Sequence, residues 1–228
     1  MDKKALLVPF VMVMAMGLSA QDKGYLSVAL GYAVPMGVFG DNDITVEEAG
    51  LAREGLLLEI AGAYHFVPKF GLAFSIRGVA NPVDVQVLAN NAAASWGGTA
   101  RVEAQPWSAS SFLLGGSAIF PLSEGNGLEL RAMAGSAMAN TPELKIDVGG
   151  TTFRELSVDS FTFTYLIGAG FRFAVGRKIA LFGNLDYQAM NPRFEGAVVT
   201  GGGLSEELPP FEQPMSWMNL SFGLALRL

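Results

Sequence analysis

Eight segments of this 228-residue chain alternate apolar side chains with small or polar ones at period two: 24–35, 55–66, 70–80, 107–120, 128–140, 160–174, 179–190 and 217–228. Successive side chains of a strand point to opposite faces, so this period predicts β-strands with one apolar face each. The sixth segment sets Phe161, Phe163, Tyr165, Ile167, Phe171 and Phe173 against Thr162, Thr164, Gly168, Gly170 and Arg172. The last sets Met218, Leu220, Phe222, Leu224, Leu226 and Leu228 against Asn219, Ser221, Gly223, Ala225 and Arg227. The fourth is less regular, because Leu113 and Ile119 fall on its polar face. The non-apolar faces are rich in Gly, Ala and Ser, where a solvated face would carry many Lys and Glu. Small side chains suit the crowded interior of a narrow closed barrel. A tilted strand of about ten residues crosses a bilayer. The fold expected is therefore all-β: an eight-stranded antiparallel up-and-down transmembrane β-barrel over 21–228.

Hydropathy agrees. Mean hydropathy is +0.35 and charged residues are 16%, against about 25% in ordinary soluble domains. After residue 20, no apolar stretch is long enough for a spanning helix. Residues 1–20 read as a secretory signal peptide, with Lys3 and Lys4, a 13-residue apolar run (5–17), and Leu18-Ser19-Ala20 before a cleavage expected ahead of Gln21. The run is short of the roughly 20 residues of a membrane anchor. The chain has no Cys, so an exported protein of this sequence is held without disulfides.

The connections give the barrel two different ends. Short links at 67–69, 123–127 and 175–178 alternate with long ones at 36–54, 81–106, 141–159 and 191–216. Segments one, three, five and seven each run into a proline: Pro35, Pro82, Pro142 and Pro192. Proline cannot donate to the ladder, so it marks where pairing stops. The long connections hold five Lys/Arg against fifteen Asp/Glu, a net of −10. The short links and the N-terminal stub hold Lys23, Lys69, Arg177 and Lys178 against Asp22 and Glu124, a net of +2. Trp107, Phe161, Phe163, Tyr187 and Trp217 are expected in an aromatic belt at the loop rim, and Tyr25, Phe66, Phe70, Phe120 and Phe173 in one at the turn rim.

All seven strand charges fall on the inward face by parity: Glu59, Arg77, Glu129, Arg131, Arg172, Asp186 and Arg227. On the lipid face at mid-bilayer each would cost about 2–4 kcal/mol. Inside a bore just filled by side chains, the three carboxylates are expected to pair with some of the four arginines. Such a network reads as a rigid plug or as the gate of a very narrow pore. Catalytic and metal chemistry find little footing. The single His65 sits at the turn end on the inward face, and no serine is marked as its partner. Asp41-Asn42-Asp43 lacks the spacing of a calcium loop. Gly201-Gly202-Gly203 reads as a flexible loop segment, since no phosphate-binding helix or Lys follows. No basic patch for nucleic acid is present.

On the leader, the hairpin rhythm and the final strand 217–228, the chain resembles the small eight-stranded outer-membrane barrels of Gram-negative bacteria, the OmpA/OmpX-like class. The resemblance covers the whole mature chain. It implies the outer membrane as location, and lipid and lipopolysaccharide as surroundings. It also implies that the barrel-assembly machinery reads the last strand, with Trp217, Phe222 and Leu228 as its marks. The family's usual terminal aromatic is replaced here by Leu228. Three roles follow in order: a structural or surface-binding barrel acting through its loops, a narrow transport pore, and a lipid-modifying enzyme. The favoured role needs no catalytic residue, metal or cofactor. It takes an unnamed loop partner, for which the exposed apolar Trp96 and Phe211 are the natural contacts.

Overall fold

The computed structural model describes residues 24–123 and 125–228. The leader expected at 1–20 lies outside these, as do Asp22, Lys23 and Glu124. Eight long strands form one closed barrel: β1 (Gly24–Pro35), β2 (Gly55–His65), β3 (Phe70–Asn81), β4 (Trp107–Ser123), β5 (Asn126–Asn140), β6 (Asp159–Ala174), β7 (Ile179–Met190) and β8 (Met215–Arg227). Each strand pairs antiparallel with its sequence neighbours, and β1 closes the cylinder on β8 with Leu30 opposite Phe222. The strand bounds follow the sequence expectation closely. The main differences are that β4 and β5 extend toward each other, pairing Pro121 with Gly127, and that β8 starts at Met215.

The period-two pattern resolves into an inside and an outside. Leu30, Leu72, Ile167, Phe222 and Leu224 stand exposed on the outer wall, while Ser75, Asp186, Asn219 and Ser221 have no accessible surface. Leu113, which broke the pattern of β4, is fully buried inside, where it packs with Met133 and Leu166.

The four long connections are folded rather than loose. A 3-10 turn (Gly37–Gly40) follows β1, and helix α1 (Val85–Trp96) follows β3. The Asp84 carboxylate accepts from Gln86 N and Val87 N and so caps α1. Five short strands from three different connections form a second sheet, in the order Leu204–Glu207, Val198–Gly201, Thr151–Glu155, Leu144–Val148, Ala100–Ala104. Two of its turns are Gly149-Gly150 and Gly202-Gly203, with φ of 58° and 80°, and 58° and 84°. Positive φ at both central residues is what a tight two-residue hairpin needs. The triglycine read as a flexible segment is therefore the end of a strand and its turn.

The apolar outer wall predicts a position-specific penalty. Leu220→Arg, on the lipid face, should destabilise the protein by about 2–4 kcal/mol in phospholipid vesicles. Leu204→Arg, in the loop-built sheet, should change stability by less than about 0.5 kcal/mol. Denaturant unfolding monitored by tryptophan fluorescence checks both.

Candidate functional site

The barrel interior is closed at two levels. Near mid-height, neighbouring strands place Glu59 (β2) directly beside Arg77 (β3). Arg131 (β5) and Asp186 (β7) flank Gly168 of β6 in register. Arg77 Nη2 reaches Glu59 Oε1 at 2.8 Å and Asp186 Oδ2 at 2.5 Å. Arg131 Nη1 lies 3.2 Å from Glu59 Oε1, and its Nη2 lies 2.6 Å from Asp186 Oδ2. Each guanidinium thus serves both carboxylates, and the four-residue ring is neutral. Ser75 Oγ also donates to Glu59 Oε1 at 2.7 Å, and Arg131 Nε donates to Asp186 Oδ1 at 2.9 Å. Such charge-assisted bonds offset the heavy desolvation of four buried ions.

Glycine makes the ring possible. A Cβ on Gly168 would fall 1.8 Å from Asp186 Oδ1. The bare backbone of β6 at this height is the room into which the Asp186 carboxylate leans toward Arg131. On the loop side, Gln188 Nε2 donates to Ser111 Oγ at 3.2 Å and Thr164 Oγ1 at 3.3 Å.

On the turn side, Arg172 pairs with Glu129 and lies 3.6 Å over the Tyr25 ring. The Tyr25 hydroxyl donates to Glu129 Oε1 at 3.0 Å. Arg172, Glu129, His65 and Arg227 line a cavity of about 180 Å³ at this end. His65 is not a bare rim residue: its Nε2 lies 3.0 Å from Ser117 Oγ, a pairing the sequence did not mark. Both groups are buried.

The second closure is the mouth. Phe39, carried inward by the 3-10 turn, packs edge-on against Trp217 at 5.4 Å and Trp107 at 5.8 Å. Phe194 joins Trp107 at 6.2 Å and Phe211 at 5.4 Å. Both indoles are anchored: Trp217 Nε1 donates to Asn81 Oδ1 and Trp107 Nε1 to Gly50 O, each at 2.8 Å. Asn81 Nδ2 donates in turn to Ala33 O and Arg53 O. The asparagine before Pro82 is therefore a fastening between barrel rim and plug.

Three residues expected in the aromatic belts point inward instead. Trp107 and Trp217 seal the mouth, because Trp107 shares the inward parity of Ala109 and Ser111, Trp217 shares that of Asn219 and Ser221, and a hydrophobic plug awaits both. Tyr25 turns inward because its hydroxyl finds Glu129 in the lumen. Phe161 and Phe163 do face outward. Of the three marks on the last strand, Phe222 and Leu228 are exposed and Trp217 is buried. Of the seven lumen charges, Glu59, Arg77, Arg131 and Asp186 meet in one ring, Glu129 and Arg172 pair below it, and Arg227 lines the turn-side cavity. Phe211, expected as an exposed contact, is packed on Phe194; Trp96 is exposed and lies 4.7 Å from Phe153.

The sheet built from the loops has two unlike faces. On one, Arg101, Glu103, Lys145 and Asp147 form a chain of pairs at 3.0, 3.9 and 3.1 Å. The Thr152 hydroxyl, donating to Asp147, leads in holding that carboxyl below its ordinary value. The other face carries Val102, Ile146, Phe153, Gly201 and Leu204 in one row and Leu144, Glu155, Val199 and Glu206 in the next. Burial pushes the Glu155 carboxyl up. In the first loop, Asp43 Oδ1 takes the Thr45 hydroxyl and N–H, which holds its carboxyl below the usual range. Asp41 likewise accepts from Asp43 N, so both side chains serve local turns.

No protein-family model matches the chain, and no curated protein matches it. Among solved structures it is similar to Neisserial surface protein A at 11% identity, over 92% of this chain and 100% of that one, with a TM-score of 0.52. It is similar also to a major outer membrane protein from Thermus thermophilus at 10% identity, over 90% and 99% of the two chains, with a TM-score of 0.50. The chain therefore has the fold of the small eight-stranded outer-membrane barrels.

The ring predicts a large cost for removing one partner. Asp186→Asn should lose about 3–5 kcal/mol, because two guanidinium groups are left with one buried counter-charge. Gly168→Ala should also destabilise markedly by pushing that carboxylate away, while Gly78→Ala, where an added Cβ meets nothing within 4 Å, should be near neutral. Equilibrium unfolding in lipid vesicles checks the order of the three.

Proposed function

We propose that this chain is an outer-membrane barrel whose filled stem holds a folded, acidic loop cap as a surface for binding. The observation that carries this reading is the division of the molecule. The interior is shut by a neutral ion ring and by an aromatic plug, while three long connections are built into a helix and a five-stranded sheet. A pore needs a polar path, and apolar rings seal this mouth. A cap with a net charge of −10 over the four connections suits contact with cationic partners. Function on rigidly held loops is the common arrangement for binding proteins.

Residues 1–20 supply export in this reading, and β8 is the segment offered to the barrel-assembly machinery. The outer wall contacts lipid, with lipopolysaccharide around the loop rim. The protein acts without catalysis, metal or cofactor. The His65–Ser117 pair is buried at the turn end of the barrel, away from the loop cap on which this reading rests.

Purified protein in a planar bilayer should stay at the leak level at ordinary voltages. A reproducible open state well above leak would show that the ring and plug part, and the narrow-pore role would replace this one.

A further inference from the structure

One part of the cap is unfinished as a protein surface. Helix α1 and its terminal Trp96 cover the apolar face of the loop-built sheet only on the side of strands Ala100–Ala104 and Leu144–Val148, with Trp96 reaching as far as Phe153. Beyond Phe153 the same face continues over Val199 and Gly201 to Leu204, which is 79% exposed, and Trp96 itself is 57% exposed. The Phe153 ring lies over Gly201, where an added Cβ would meet it at 2.4 Å, and Phe153, Val199 and Gly201 are half-buried between the exposed Trp96 and Leu204. The strand Leu204–Glu207 is the edge of the sheet and pairs on one side only.

The two carboxylates on this strip stand apart from the chain of ion pairs on the opposite face. Glu155 and Glu206 flank Val199 in register, on the apolar face. Among the described residues, neither carboxylate has a cation within ion-pair distance, whereas on the opposite face Arg101, Glu103, Lys145 and Asp147 are joined in a chain. Glu155 is half-buried between Leu144 and Val199. A partly desolvated carboxylate in an apolar strip gains most from a cation delivered on an apolar body. An extended edge with alternating side chains fits an extended partner.

We propose that this uncovered strip, with Trp96, Phe153, Val199 and Leu204 as its apolar floor and Glu155 and Glu206 as its charges, docks a cationic extended polypeptide segment. Alternate side chains of the partner lie on the floor, and its Lys or Arg groups meet the two carboxylates. The inference rests on the cap being a binding surface, and it names the part of the cap and the chemistry of the partner.

The test uses the full chain in zwitterionic nanodiscs and fluorescence anisotropy of a labelled peptide of three Leu-Lys repeats. The peptide should bind the protein and not empty nanodiscs, and a peptide of three Leu-Glu repeats should not bind. Glu155→Gln with Glu206→Gln should weaken binding tenfold or more, and Leu204→Ser should weaken it several-fold. Glu103→Gln, on the paired face, should leave it unchanged. Heat-modifiable gel migration reports that each variant retains its barrel. Equal binding by the double variant, equal loss in Glu103→Gln, equal binding of the Leu-Glu peptide, or no binding beyond empty nanodiscs would overturn the proposal. Conductance is read separately: an open pore would remove the closed-stem reading, whereas indifference to the two carboxylates would remove only this docking strip.

Discussion

Two guanidinium groups and two carboxylates share the middle of the barrel, and the rest of the interior is arranged around satisfying them. Eight strands enclose a bore only as wide as its own side chains. Ions placed there are out of water and must answer one another. Glu59, Arg77, Arg131 and Asp186 do so in a ring whose charges cancel. The neighbours follow from that need. Gly168 leaves room, Ser75 and Gln188 supply further hydrogen bonds, and Ala29 and Ala61 fill the wall without competing. Outside, the same strands show hydrocarbon to hydrocarbon.

The mouth solves a different problem with different chemistry. A barrel whose strands end at prolines has rim backbone and indole N–H groups to satisfy. The end of β3 does this for Trp217 through Asn81, and the first connection returns to do it for Trp107 through Gly50. Phe39 fills the space between the indoles. The plug fixes where the long connections begin and end, which allows strands from three of them to pair as one sheet.

The barrel is readable in the sequence because each strand carries its own evidence: ten residues of alternation survive without knowledge of any partner. The inward placement of the seven charges is readable by parity for the same reason. Which arginine meets which carboxylate is not, since Arg77 and Asp186 are 109 positions apart and meet only once the cylinder closes. Tyr25, Trp107 and Trp217 depart from expectation because aromatics at strand ends suggest a lipid interface, whereas strand parity and a waiting partner turn them inward. The loop-built sheet has a legible local signal in Gly149-Gly150 and Gly202-Gly203 between short alternating runs. Strands of four or five residues drawn from separate connections give no sign of their pairing partners until the barrel brings them together. Parity places His65 correctly, but Ser117, 52 positions away, has nothing in the sequence to mark it.

The measurement closest to the heart of this account is a double-mutant cycle on the ring, with Glu59→Gln, Arg77→Gln and the pair unfolded in lipid vesicles. If the four ions hold one another inside the barrel, the double variant should lose less than the sum of the single losses, by about 1–3 kcal/mol. Strictly additive losses would mean that Glu59 and Arg77 do not answer each other, and the interior described here would be wrong.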